Sequence, residues 1–318
     1  MGKRECTGVP AGSSTVEVSG ESVAVCRSGR GVPVVCLHAI GHGGGDFQPL
    51  ADRVSTRYEV IRIDWPGHGR SGDAKDPPSA RAYADLLAGI LDRLRVERPI
   101  IIGCSIGGAA ALLHAQDHPV RGLVLCDPGG LLEINGLARA FIRTFAAFFR
   151  AGERGAWWFG AAYALYYRFL VLPTRAAAPQ RGRIIAAGRA LAPLLRAAWE
   201  SFGEPEADIR ERALALDVPV WFAWARSDRV IPLGLCKPCI DKMHDATLTT
   251  FAGGHAAFLE QPDLFARGFL DFAGRLDRRA ADAGGLRRSS GQEPERVGPK
   301  VAPESGDAPQ HAERLHSS

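Results

Sequence analysis

The sequence predicts an α/β fold, a mostly parallel central sheet flanked by helices with a helical block inserted into it, and three observations predict it. Short apolar runs alternate with segments of helical spacing up to Pro128. There the alternation stops, gives way to a long stretch dense in aromatics, and later resumes. The stretch "GCSIG", Gly103 to Gly107, sets glycine and serine between an apolar run and a run of helix formers, where a strand must turn sharply into a helix.

Taken in order, residues 15–26 alternate apolar and polar around "SGES", which predicts an antiparallel hairpin. The runs "VPVVCLH", "YEVIRID", "RPIIIGC" and "VRGLVLC" predict buried strands, and residues 46–55, 79–94 and 106–116 between them predict helices. Strands alternating with helices make parallel βαβ units with helices on both faces of the sheet. Residues 131–216 are helical in composition and hold Phe141, Phe145, Phe148, Phe149, Trp157, Trp158, Tyr163, Tyr166, Tyr167 and Trp199. "VPVWFAWA" and "ATLTTFA" then resume the sheet, each followed by a helical segment. The expected organisation is an N-terminal extension at 1–13, an α/β core at 14–130 and 217–275, the helical block at 131–216, and a disordered tail at 276–318. In that tail the apolar period gives way to Arg, Gly, Pro, Ser and Glu.

At 318 residues and 46% hydrophobic, the chain can bury a large core, which excludes a disordered or fibrous protein. The formal net charge of +4 comes without a basic stripe beside stacking aromatics, so no nucleic-acid partner is expected. The start has no apolar signal core, and Cys6 stands where a myristoylation signal needs serine or threonine, so the expected address is cytoplasmic. Seven cysteines, mostly in apolar strand-like runs, read as reduced buried thiols. Cys236 and Cys239 in "CKPC" have the spacing of a redox or metal pair. A zinc site needs a second pair that the sequence lacks, so neither metal nor cofactor is expected. The longest apolar stretch, 155–173, is interrupted by Arg168 before the ~20 clean residues of a membrane span. It predicts a buried helix, with an interfacial helix as the alternative, because tryptophan and tyrosine beside arginine also suit a membrane surface.

In an open parallel sheet ligands bind at the carboxyl ends of the strands. The residues there are the loop "HAIGHGGG", Asp64, Ser105, Asp127, Asp228 and His255. A hydroxyl is a poor nucleophile until a base takes its proton and a carboxylate holds that base in the right tautomer. Ser105 sits at a helix N-terminus, where backbone N–H groups face developing negative charge. Among nine histidines, His255 follows a late strand between two small residues. Asp64 and His68, in "DWPGHGRS", read as turn residues.

The G-x-S-x-G motif with Ser, Asp and His in that order at strand ends resembles the α/β-hydrolase fold superfamily with a helical cap, over residues 14–272. The resemblance implies Ser105 as nucleophile, Asp228 as triad acid and His255 as general base, with the backbone N–H groups of Ile40 and Ile106 forming the oxyanion hole. Asp127 competes as the acid, since some enzymes of this fold carry it after the strand that follows the nucleophile. The oxyanion loop departs from the family in reading His38-Ala39 where His-Gly is usual. The implied reaction is cofactor-free hydrolysis of an ester, thioester or lactone of a small to mid-sized apolar molecule through an acyl-enzyme. "CDPGGL" is also similar to a segment of hydrolases that cleave carbon–carbon bonds in ring-fission products, and some proteins of this fold act as small-molecule receptors. A peptide-bond specialist would need a carboxylate in the cap, such as Glu153 or Glu200.

Overall fold

The computed structural model describes the backbone of residues 12–289 and the side chains of residues 12–282. Strands β1 (Ser13–Val18) and β2 (Glu21–Ser28) form the hairpin read from the alternation, and its turn residues Ser19 and Gly20 have φ of 52° and 80°. Two left-handed residues in a two-residue turn match the twist of the strands they join. β3 (Val32–Leu37), β4 (Tyr58–Ile63), β5 (Ile100–Cys104), β6 (Gly122–Cys126), β7 (Val220–Ala225) and β8 (Ala246–Phe251) complete an eight-stranded sheet in the order β1-β2-β4-β3-β5-β6-β7-β8. β2 runs antiparallel to β4, and every pair from β4 to β8 is parallel. β5 and β6 are buried at every position, which is why they read as unbroken apolar runs rather than alternating ones.

Helices α1 (Gln48–Val54), α2 (Ala80–Leu94) and α3 (Ile106–Asp117) connect the early strands. Ser79 caps α2, its Oγ accepting the Ala82 N–H at 3.1 Å. Between β6 and β7 the chain passes through α4 (Gly136–Glu153), α5 (Phe159–Tyr166), a π turn at Tyr167–Val171, α6 (Ala178–Ser201) and α7 (Arg210–Leu214). Phe145 of α4 stacks on Trp199 of α6 with ring centroids 4.4 Å apart, and Phe148, Phe149, Phe159 and Tyr163 pack around them. Much of the aromatic density of this insertion is therefore its own core. Residues 155–173 make α5 and the π turn, burying Phe159, Tyr163 and Tyr167 while Trp157, Leu165 and Phe169 are exposed. No helix among the described residues is long and apolar enough to cross a membrane.

The last elements are α8 (Leu233–Ile240), α9 (Ala257–Glu260) and α10 (Pro262–Ser289). Here the structure corrects the expected start of the disordered tail. α10 does not stop near residue 275 but continues to Ser289. Leu276 is buried against Gly122 of β6, and the arginines and alanines that follow are good helix formers whatever their charge. The rest of the tail, 290–318, and residues 1–11 of the extension lie outside the described residues. The described residues through Asp277 belong to one compact unit, and residues 278–289 are the end of α10.

Candidate active site

β5 ends at Cys104 and α3 begins at Ile106, so the turn between them is Ser105, held at φ 53° and ψ −119°. Such a conformation costs a non-glycine residue on the order of ~1–3 kcal/mol and persists only when its surroundings impose it. The flanking glycines show how it is imposed. A Cβ on Gly103 would lie 2.4 Å from the Gly107 carbonyl oxygen, and one on Gly107 would lie 2.5 Å from that of Leu37. Strand, turn and helix close to distances that only glycine permits. The Ser105 N–H donates to the Cys126 carbonyl at 3.1 Å, and its own carbonyl accepts from Gly108, Ala109 and Gly129. Its side chain lines a cavity, and Oγ makes no hydrogen bond among the described residues.

His255 lines the same cavity from the loop after β8. Its Nδ1–H donates to Asp228 Oδ2 at 2.7 Å, and both side chains are buried. Asp228 is fixed in turn, with Oδ1 accepting from the N–H groups of Val230 at 2.7 Å and Ile231 at 2.9 Å. Burial alone would lower the pKa of His255, but the charge and hydrogen bond of Asp228, with the charge of Glu260, outweigh it and hold the ring above its ordinary 6.5. Glu260 is a residue that sequence reasoning missed. Its Oε2 accepts from the backbone N–H groups of Gly254 at 2.6 Å, His255 at 3.2 Å and Ala256 at 3.4 Å, while Oε1 accepts from Thr174 at 3.4 Å. One buried carboxylate thus ties the His255 loop to the helical insertion. The signal was a lone glutamate soon after the histidine, in a helix too short to show a period.

Asp127 follows β6 and sits beside this pair; one side-chain oxygen or nitrogen of each of Asp127, Asp228 and His255 lies within 4.8 Å of the others. His255 bonds to Asp228, however, while Asp127 Oδ1 accepts the Ala225 N–H at 2.8 Å. Burial first, then the charge of Asp228, pushes the Asp127 carboxyl well above 3.8, which favours its neutral form. A carboxyl with a raised folded pKa contributes stability that is complete below its unfolded value and is lost as pH rises toward the folded one. Asparagine does not titrate, so Asp127→Asn is expected to keep near wild-type turnover and to gain stability over wild type as pH rises. Thermal melts from about pH 4 to about pH 8 check this. A stability difference that is flat with pH would mean that Asp127 is ionised in the fold.

The loop expected to supply an oxyanion donor follows β3. His38 donates Nδ1–H to the Ala39 carbonyl at 2.7 Å and accepts the Trp65 N–H at 2.9 Å. His68 donates Nδ1–H to the Pro66 carbonyl at 3.0 Å and accepts the Gly41 N–H at 2.9 Å. Burial lowers both rings to a pKa of about 3, so each is neutral, as accepting at Nε2 requires. Ala39 stands in place of glycine because the left-handed residue of this loop is Gly41, at φ 77°, and not residue 39. The Ile40 N–H donates to no group among the described residues, and Ile106, first in α3, has no helical acceptor for its own. Both residues line the cavity, which leaves two backbone donors free beside Ser105.

Other sequence candidates fall away from the cavity. Asp64 accepts from Gly44 at 2.7 Å and Arg70 at 3.0 Å and braces the turn. Glu153 is taken by Arg196, and Glu200 by Arg150 and Arg196. Cys236 and Cys239 lie buried in α8, where burial pushes the Cys236 thiol up to about 12, far from a reactive thiolate.

The cavity encloses about 900 Å³, with Ser105 and His255 on the sheet side and Phe149, Tyr166, Leu195 and Trp199 of the insertion on the other. Residues 34–268 match the model of the alpha/beta hydrolase family. The chain belongs to that family, and it is a hydrolase. It is 31% identical over 262 residues to a pimeloyl-(acyl-carrier protein) methyl ester esterase of Xanthomonas campestris pv. campestris, covering 78% of this chain and 97% of that protein. The protein of the same name from Chromobacterium violaceum is 29% identical over 265 residues, covering 76% of this chain and 94% of its own. Among solved structures, a thermophilic esterase from Thermogutta terrifontis superposes with a TM-score of 0.68 at 19% identity, over 84% of this chain and 99% of that one, a likeness of fold.

Proposed function

We propose that the chain is a serine hydrolase that cleaves carboxylic esters, thioesters or lactones of small to mid-sized apolar molecules through an acyl-enzyme. The observation that carries this reading is a strained Ser105 turn facing the same cavity as the buried His255–Asp228 pair. Asp228 holds the ring with Nδ1–H directed inward, which leaves Nε2 as the base for the Ser105 proton while Oγ attacks the carbonyl. Catalytic hydrogen bonds are often long in the empty site and tighten with substrate, and Ser105 Oγ is free to turn toward Nε2. The free N–H groups of Ile40 and Ile106 stabilise the oxyanion. Collapse of the tetrahedral intermediate passes the histidine proton to the leaving alcohol, and water, activated by the same ring, releases the acid. Helices of the insertion at 131–216 serve as a cap over the strand ends, and their apolar wall suits an apolar acyl or alkyl group. Relatives named as methyl ester esterases support an ester as the substrate. Six described cysteines, all free and buried, support a cytoplasmic address.

A panel of nitrophenyl esters of increasing chain length tests the reading, with kcat/KM followed against pH. Turnover requires neutral His255. Because its pKa is held above 6.5, activity is expected to fall away on the acid side with a midpoint above that value. A midpoint below it would detach His255 from Asp228. No turnover on any ester, together with a ligand-dependent rise in melting temperature, would favour a receptor instead.

A further inference from the structure

Of the three histidines around the oxyanion loop, His38 and His68 have both ring nitrogens bonded within the protein, and His42 does not. His42 Nδ1–H donates to Asp46 Oδ2 at 2.5 Å, with the two side chains 2% and 0% exposed. Asp46 Oδ1 accepts in turn from the Gln180 amide of α6. With Nδ1 bonded to Asp46, Nε2 is the ring's other polar atom, and it bonds to no group among the described residues. His42 lines the same cavity as Ser105 and His255.

Taking a carboxylate and an imidazole out of water costs the fold unless each is paired. Other bonds also hold the shape of the loop. His68 already accepts from Gly41, Asp64 from Gly44, and the Ala39 carbonyl from the His42 N–H at 3.1 Å. The ring of Tyr167 lies 5.7 Å from that of His42 between centroids, and Nε2 is left to a group that enters the cavity.

We propose that His42, oriented by Asp46, is a specificity-determining residue whose Nε2 accepts a hydrogen bond from a substrate hydroxyl or N–H. The preferred substrates are then esters that carry one hydrogen-bond donor on an otherwise apolar body. This rests on the hydrolase reading and names its substrate class. Asp46 is a positioning residue, and the Gln180 bond fastens it to the insertion.

The experiment compares matched nitrophenyl esters of one chain length, plain or with a hydroxyl or an acylamino group at successive carbons. In wild type, one position of the donor is expected to raise kcat/KM by about tenfold or more over the plain ester, because a site built around a substrate donor discriminates strongly against its absence. His42→Phe should bring that ratio close to one. Asp46→Asn should lower it only in part, since the asparagine carbonyl still accepts from Nδ1. A wild type with no preference for any donor-bearing ester overturns the proposal, because ordinary cavity water then satisfies Nε2 as well as substrate does. So does a preference that survives in His42→Phe. If that variant fails to fold, the wild-type ratio and its response to Asp46→Asn still decide. Failure of the hydrolase reading looks different, since wild type would then leave the plain ester uncleaved.

Discussion

Replacing Ser105 with alanine is expected to lower ester turnover by about 10⁶-fold while the melting temperature stays near that of wild type. The change removes a single oxygen, one that lines the cavity and bonds to no group among the described residues. Backbone strain at φ 53° is the same for serine and alanine, so the fold has no reason to relax. What remains is the slower attack of water in a cavity that still has the proposed oxyanion donors, which in serine enzymes leaves a small residual rate. Ser105→Gly separates strain from chemistry. It should be equally inactive but more stable, because glycine accepts the left-handed conformation at no steric cost. Turnover retained in the alanine variant would remove Ser105 from the reaction.

Replacing Asp228 with asparagine should cost about 10⁴-fold in kcat. An asparagine keeps an acceptor for the Val230 and Ile231 N–H groups, so the loop after β7 stays in place. Its NH₂ then faces His255 Nδ1, which favours the tautomer with the hydrogen on Nε2, and that ring cannot take the Ser105 proton. The lost charge has a second effect. The acid limb of the pH profile should move below its wild-type position, with Glu260 alone left to raise the ring. Asp127→Asn serves as the control. Both carboxyls lie in the same buried cluster, yet only Asp228 bonds to the ring, so the two variants should differ by orders of magnitude. Equal losses would mean that the cluster acts as a unit and that His255 has no single partner.

The parallel core was legible because its information is local. Buried strands read as apolar runs, and Ser105 announced itself through the glycines that let strand, turn and helix close together. The choice between Asp127 and Asp228 was not local: both end a strand, and only the three-dimensional placement of β8 brings His255 onto one of them. His42 lay in the glycine-rich loop and Asp46 just after it, but the bond that holds Asp46 comes from Gln180, which is 134 residues away. Glu260 escaped notice for the same reason, since its partners are backbone N–H groups that no sequence pattern records. The continuation of α10 was missed because charged, arginine-rich segments lack an apolar period even where alanine and arginine favour helix.

Labelling with a fluorophosphonate, read by intact mass, tests the nucleophile without any choice of substrate. Wild type should gain a single phosphonyl group as fluoride leaves, Ser105→Ala should gain none, and His255→Ala should react slowly because the hydroxyl has lost its base. An adduct that persists in Ser105→Ala, or a wild type that turns over esters yet takes no label, would contradict a Ser105 acyl-enzyme.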